Sequence, residues 1–475
     1  MKSRAYKALL LATAAGSLAI NGCLQPLLNR ERLELGITRI EPLENAPPVL
    51  ALTTQVLGGF RGLIANALWI RANQLQLDGK YFEMVQLADW ITKLEPHIVQ
   101  VWLVQSWNAS FNISVKFSDY PDRWRWVQRG MELLRDEALR YNPDQPLVYA
   151  ELAWLFQFKM GQNLDDAHLY YKGAWAAEMM KLFGGARPDF DRFEKPKTPE
   201  EQERARLLRQ KYKMDPAEMR SVDEHYGPLD WRLPEAHAIY WASVGLEHSR
   251  KDEDVRRLRS AIYQSMNLSF QRGRLVLNSN GPPRLLPNLA IVSKVNKSYE
   301  EQIAVNPPNI TSVQRAYRNF LRDVPYEFFI LNRIKEGEQW LRYAREKFPD
   351  AVPPGMSLAE YAIDRATENV REKSQVRITQ LVQAFVAQSY LAIIEDNPDD
   401  ANQYMLRAEE LWNAYMKRPG IGERTALPPL VEIKRVVRDD MLSPESSFSP
   451  EQKARLRTVV GGPAQAPAPA PPKAK

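Results

Sequence analysis

Three places in this 475-residue chain bring chemically capable side chains close together. The first is Cys23, the only cysteine, near the end of the stretch "SLAINGCL". One thiol cannot close an internal disulfide and supplies too few ligands for a structural zinc site, so its use is as a nucleophile or an attachment point. The second is "EHYGPLDWRLPEAHAIYWASVGLEH", which offers Asp230 and Glu235 as acid and base beside three of the five histidines. His237 and His248 lie 11 residues apart. That is about three turns, or roughly 16 Å along a helix, so the two cannot ligate one ion. The third is "PDRWRWVQRG", where arginine alternates with tryptophan as in platforms for single-stranded nucleic acid. This run is short and Trp126 falls where a helix begins, which favours core packing with solvated arginines. Phosphate-binding glycine loops, nucleophile elbows, HExxH and paired-cysteine motifs are missing from the sequence, so the expectation is a protein that is not an enzyme and needs no cofactor or metal.

Composition agrees. With 44% hydrophobic and 10% aromatic residues the chain is able to bury a large core. The formal charge is +6, and setting aside Lys2, Arg4, Lys7, Lys473 and Lys475 at the two ends leaves +1. A body so balanced lacks the clustered basic surplus of a nucleic-acid binder.

The elements that must position these groups begin at the N-terminus. Lys2, Arg4 and Lys7 precede 13 uncharged residues, Ala8 to Ile20, and "NGC" follows, which is the plan of a secretory signal. Ile20-Asn21-Gly22-Cys23 resembles the lipobox of bacterial lipoproteins, with Asn21 in place of the usual Ala, Ser or Thr. The resemblance implies that Cys23 becomes the first mature residue and carries lipid. Each buried methylene contributes about 0.8 kcal/mol, so two or three acyl chains hold a protein to a bilayer almost permanently. It also implies an extracytoplasmic, periplasm-facing location, and Leu24 rather than an acidic residue after the cysteine favours the outer membrane. An uncleaved N-terminal anchor helix is the alternative, because the segment approaches spanning length if it runs on to Leu24.

In the body, "GKYFEMVQLADWITKLEP" places Gly79, Tyr81, Met84, Leu87, Ile91, Leu94 and Pro96 at offsets 0, 2, 5, 8, 12, 15 and 17. This pattern resembles the second half of a tetratricopeptide repeat, in which glycine opens the turn, one helix face packs, and proline stops the helix. Leu68, Ala72 and Leu75 supply the matching face of the first helix. Met131, Leu134, Ala138, Tyr141 and Pro143 form a second copy, 47 residues on from Ile91 to Ala138, with "VKFSDYPDR" as the insertion. Leu164, Ala167, Tyr170, Ala174 and Ala177 form a third after a one-residue slip from Gly161.

The resulting organisation is a signal peptide over 1–22, a lipid-anchored linker over 23–48, and tetratricopeptide-like repeats over 49–182. A charged surface insertion follows over 183–233, with Thr198 capping its helix. A helical segment with a Pro/Gly-rich loop occupies 234–305, with the chain resuming as helix near Thr311. C-terminal helical repeats fill 306–445, and a disordered Pro/Ala-rich tail fills 446–475. The fold class expected is all-α, a superhelix or solenoid of antiparallel helical hairpins with loop insertions. Such a scaffold binds peptide or protein partners in a membrane-anchored envelope complex, with Tyr81, Trp90, Trp102, Trp107, Tyr170 and Tyr171 as candidate contact residues. The competing expectation is a helical cell-wall enzyme that uses carboxylates of the central segment, such as Asp230 and Glu235.

Overall fold

The structure, a computed structural model, describes residues 2–34, 61–162, 165–276, 284–305, 308–368, 374–419, 421, 425–443, 446 and 448–461. Helix dominates the described residues. One antiparallel pair of short strands, Arg274–Val276 and Arg284–Leu286, sits among them with Leu275 opposite Leu285. The all-α class read from the periodicities is therefore the observed one.

The chain divides into two compact units. The first comprises Met1–Ala174, Arg206–Met214 and Val244–Arg250; the second comprises Trp175–Ala205, Asp215–Ser243 and Lys251–Lys475.

In the first unit, the helix Arg61–Leu77 turns back through three residues into the helix Tyr81–Leu94. Gly79 makes that turn with φ of 72°, a left-handed conformation that a Cβ would strain. Ala72 and Leu75 meet Met84, Ile91 and Leu94 in the core, with Leu68 and Leu87 packed at its edge. Burying each large apolar side chain contributes about 1.5–3 kcal/mol, so these helical faces, rather than propensity, hold the hairpin together. The second set of expected core positions is also buried at Met131, Leu134 and Ala138. It lies in the helix Tyr120–Glu132 and a π-helical turn, Leu133–Ala138. Asn142 closes this helix, its amide donating to the carbonyls of Ala138 at 3.1 Å and Pro96 at 2.8 Å.

The third expected face is displaced. Within the helix His168–Phe183 the buried residues are Tyr171, Lys172, Trp175, Ala176, Met179, Leu182 and Phe183, whereas Tyr170 and Ala177 face solvent; of the expected positions Ala167, just before the helix, is buried, and Leu164 lies outside the described residues. The bulky side chains Tyr171 and Trp175 outcompete small Ala174 and Ala177 for the interior, since buried area rises with side-chain size.

The second unit corrects the reading of 183–233 as a surface insertion. Phe190, Phe193, Met219 and Trp231 are core residues there. Asp223, itself buried, binds the segment together by accepting from Leu229 N–H at 2.9 Å, Trp231 Nε1 at 3.0 Å and Arg187 Nε at 2.6 Å. Thr198 does cap the helix Pro199–Gln210, its hydroxyl accepting from Glu201 N–H.

The helix Val292–Ala304 follows the strand pair, so helix resumes well before Thr311. Two more hairpins come next. Ile310–Ile330 packs on Ile334–Lys347, and Ser374–Ile394 packs on Pro398–Met416, each pair joined by three residues. Asn332 and Asp396 supply the left-handed turn residues with φ of 57° and 65°. Of the expected disordered tail, residues 462–475 lie outside the described residues. Pro450–Val460 is a helix with a Ser449–Gln452 capping box, and it buries Leu456.

At the N-terminus one helix, Lys2–Glu34, runs through the cysteine. Its stretch Leu10–Leu28 is 19 residues long and apolar enough to cross a membrane by length and composition, and Cys23 is exposed on it.

Candidate functional site

Within the first unit the helices Val99–Trp107 and Pro146–Trp154 both end at tryptophan, and both pass directly into π-helical turns, Asn108–Ile113 and Leu155–Gly161. Such widened turns are rare and concentrate at functional sites. Here they carry a second aromatic residue four positions after each tryptophan, in "WNASF" and "WLFQF". Trp107 and Trp154 are 47 residues apart, as are Phe111 and Phe158, the same spacing that separates Ile91 from Ala138.

The four rings form a continuous stack. Trp107 lies on Phe111 with centroids 4.4 Å apart and on Trp154 at 5.3 Å; Phe111 meets Trp154 at 5.1 Å, and Trp154 meets Phe158 at 5.0 Å. Each such pair is worth about 0.5–1.5 kcal/mol beyond its buried area. Trp107 remains 42% exposed, and the other three are half-buried. The stack is a rigid aromatic shelf open to solvent on one side.

Beneath it lies a buried cation. Lys159 Nζ sits 4.8 Å from the Phe111 ring centre, 5.8 Å from that of Tyr171, and 2.5 Å from Asp165 Oδ2. Arg123, from Tyr120–Glu132, reaches Asp165 Oδ1 and Asp166 Oδ1, both at 2.7 Å. Burial pushes the Lys159 ammonium below its ordinary pKa, opposed by its bond to Asp165. Burial and the Asp165 charge push Tyr171 up to about 12. The bond from Arg123 holds the Asp166 carboxyl below the usual carboxylate range. Buried charges persist only when paired, and here two cations share two carboxylates. The network is a structural clamp that fixes the π-turn carrying Phe158 and Lys159 under the shelf.

Glycine permits the approach of the neighbouring helix. A Cβ at Gly130 would come within 1.9 Å of Ser110 Oγ and 3.0 Å of Ser106 O. Ser106 Oγ instead donates to Gly130 O at 2.8 Å.

Of the six aromatic residues expected to contact a partner, Trp107 alone belongs to the shelf. Trp102 is buried, its Nε1 donating to Pro96 O at 2.8 Å, and Tyr171 is completely buried, so neither is a contact residue. Tyr81 and Trp90 are half-buried, Tyr81 beneath Lys116; Tyr170 is exposed and lies against Tyr120. Phe111, Trp154, Phe158 and Lys159 were not singled out in the sequence. The signal that marks them is the recurrence of W-x-x-x-F after 47 residues.

The other chemical clusters are placed differently from expectation. In "PDRWRWVQRG", Trp124 is buried and Trp126 packs against Phe82 and Phe117, but Arg123 is buried rather than solvated because it serves Asp165 and Asp166. Asp230 is buried and paired with Arg232, and it accepts from Leu275 N–H at 2.9 Å. Glu235 is buried 3.8 Å from Arg272. Each carboxylate lies against its own arginine, Asp230 against Arg232 and Glu235 against Arg272. His237 is enclosed, with Nε2 2.9 Å from Trp231 O, while His248 stacks on Tyr149 and approaches Asp144. Among the described residues, no three of His, Cys, Asp and Glu gather as metal ligands.

Comparison with known protein families finds no match, and comparison with curated proteins finds no relative.

Proposed function

We propose that this chain is a membrane-anchored, extracytoplasmic scaffold of tetratricopeptide-like hairpins that binds a peptide or protein partner on the aromatic shelf. The observation that carries the reading is the stack Trp107–Phe111–Trp154–Phe158, with Trp107 exposed and Lys159 set against the Phe111 ring. Rigid aromatic side chains give large contact area at small entropic cost, and they anchor interfaces for that reason. Anchoring falls to the N-terminal segment, through lipid on Cys23 or through the helix Leu10–Leu28 itself.

The test is crosslinking in intact membranes, comparing the wild type with Trp107→Ala and with Phe82→Ala, an exposed aromatic outside the stack. The Trp107 variant is expected to lose its crosslinked polypeptides while the Phe82 variant keeps them. Identical patterns from both variants and the wild type rule the shelf out.

A further inference from the structure

The second unit contains a cleft that the scaffold reading does not use. It has a volume of about 480 Å³ and opens between the helices Asp252–Arg272, Val292–Ala304, Ile310–Ile330 and Leu358–Thr367. A second hollow of about 350 Å³ adjoins it, sharing Gln271, Asp323 and Arg365 as walls. Sites for small ligands fall between about 300 and 1,000 Å³.

The charges in this cleft are already spent on one another. Arg365 donates to Asp323 and Glu368, and Arg322 donates to Glu368. Two cations balance two anions, so neither an anion nor a cation finds an uncompensated counter-charge, and a zwitterion finds no separated pair.

What remains unspent is neutral hydrogen-bonding capacity. Asn267 Oδ1 is buried and accepts no bond among the described residues, and Arg322 Nε is buried and donates none. The side-chain amides of Gln271 and Asn319 are exposed at the cleft wall. Tyr299 and Phe320 stack 5.5 Å apart at the base of the cleft, but each is only 1% exposed, so the ligand-facing surface is the polar wall above them. Amides and arginine–carboxylate pairs offer alternating donors and acceptors, the complement of adjacent hydroxyl groups.

We infer that this cleft is a binding site for a neutral, hydroxyl-rich ligand, a saccharide of one or two rings. Gln271 and Asn319 provide the direct hydrogen bonds, with Asn267 and the Arg322–Glu368–Arg365–Asp323 chain forming the wall behind them. The inference is independent of the scaffold reading, since the shelf lies in the other unit and is tested by different residues.

The test is isothermal titration of the purified full-length chain with cellobiose, chitobiose and maltose, and with phosphate, glycine and spermidine as charged probes. The doubly substituted chain Gln271→Leu/Asn319→Leu is measured in parallel. Both residues are exposed and make no side-chain hydrogen bond among the described residues, so the fold is expected to survive, as circular dichroism checks. At least one saccharide should bind the wild type, and the double variant should bind it about tenfold more weakly, the loss of one or two neutral hydrogen bonds. Heat from a charged probe alone, saccharide binding unchanged in the double variant, or no heat from any saccharide overturns the inference.

Discussion

Lys159 Nζ lies 4.8 Å from the centre of the Phe111 ring, so the aromatic shelf rests on a buried ammonium. The same nitrogen is 2.5 Å from Asp165 Oδ2, which makes the cation a link between the shelf and the charged network below. A desolvated cation–π contact is worth about 2 kcal/mol, but the ion pair dominates, because losing one member of a buried pair costs about 3–5 kcal/mol.

Lys159→Met is therefore expected to lower the unfolding free energy by about 3–5 kcal/mol, leaving the Asp165 charge facing only Arg123. Adding Asp165→Asn to that variant should restore part of the loss. Urea denaturation of wild type, both single variants and the double variant gives the coupling directly. Additive losses in this cycle contradict the clamp.

Gly130→Ala places a methyl group within 1.9 Å of Ser110 Oγ, where no side chain fits without movement. The expected cost is about 1–3 kcal/mol, read as a fall in Tm. Pairing it with Ser110→Gly should relieve most of that cost, whereas a cost that persists in the double variant places the strain elsewhere.

Glu327 gives a pH signature. Burial and the neighbouring Asp323 charge push its carboxyl up to about 7 from an ordinary 4.5. Asp323 on the same helix is also raised by burial, while Arg365 of Leu358–Thr367 and Arg377 of Ser374–Ile394 line the same hollow. Because the folded state holds the Glu327 proton more tightly than the unfolded state does, its contribution is fully favourable below about 4.5. It is lost as pH rises through about 7. Glu327→Gln should match the wild type near pH 4 and exceed it by up to about 3 kcal/mol near pH 8. Stability curves that run parallel across this range refute the assignment.

Cys23→Ala separates the two modes of anchoring. If lipid is attached at the thiol, the variant should fail to incorporate a radiolabelled fatty acid and should migrate more slowly as an uncleaved precursor. Unchanged labelling and migration sink the lipid attachment and leave the helix Leu10–Leu28 as the anchor.

The helical class was legible because burial repeats every three to four residues wherever a helix packs. Met84, Ile91 and Leu94, and then Met131, Leu134 and Ala138, announce their faces by spacing alone. The third face was misread because spacing could not decide between small Ala174 and bulky Trp175. The core decided by volume. The segment 183–233 was misread as surface for a related reason, since its charged residues outnumber the few that anchor it. Phe190, Phe193 and Met219 are buried there, and Asp223 is buried with three donors of the same segment, Arg187, Leu229 and Trp231, converging on it.

By itself, then, the sequence determined that the chain is helical, that the first hairpin turns at Gly79, and that Cys23 stands alone beside an apolar N-terminal segment. Those are local properties, set by side-chain periodicity, glycine and proline placement, and composition. Only the tertiary structure decided that Trp107 stacks with Trp154, that Arg123 is a buried partner rather than a solvated one, and that Asp230 and Glu235 each belong to a separate arginine. Those pairings join residues tens of positions apart, and their energy comes from mutual desolvation and geometry that no single stretch of chain contains.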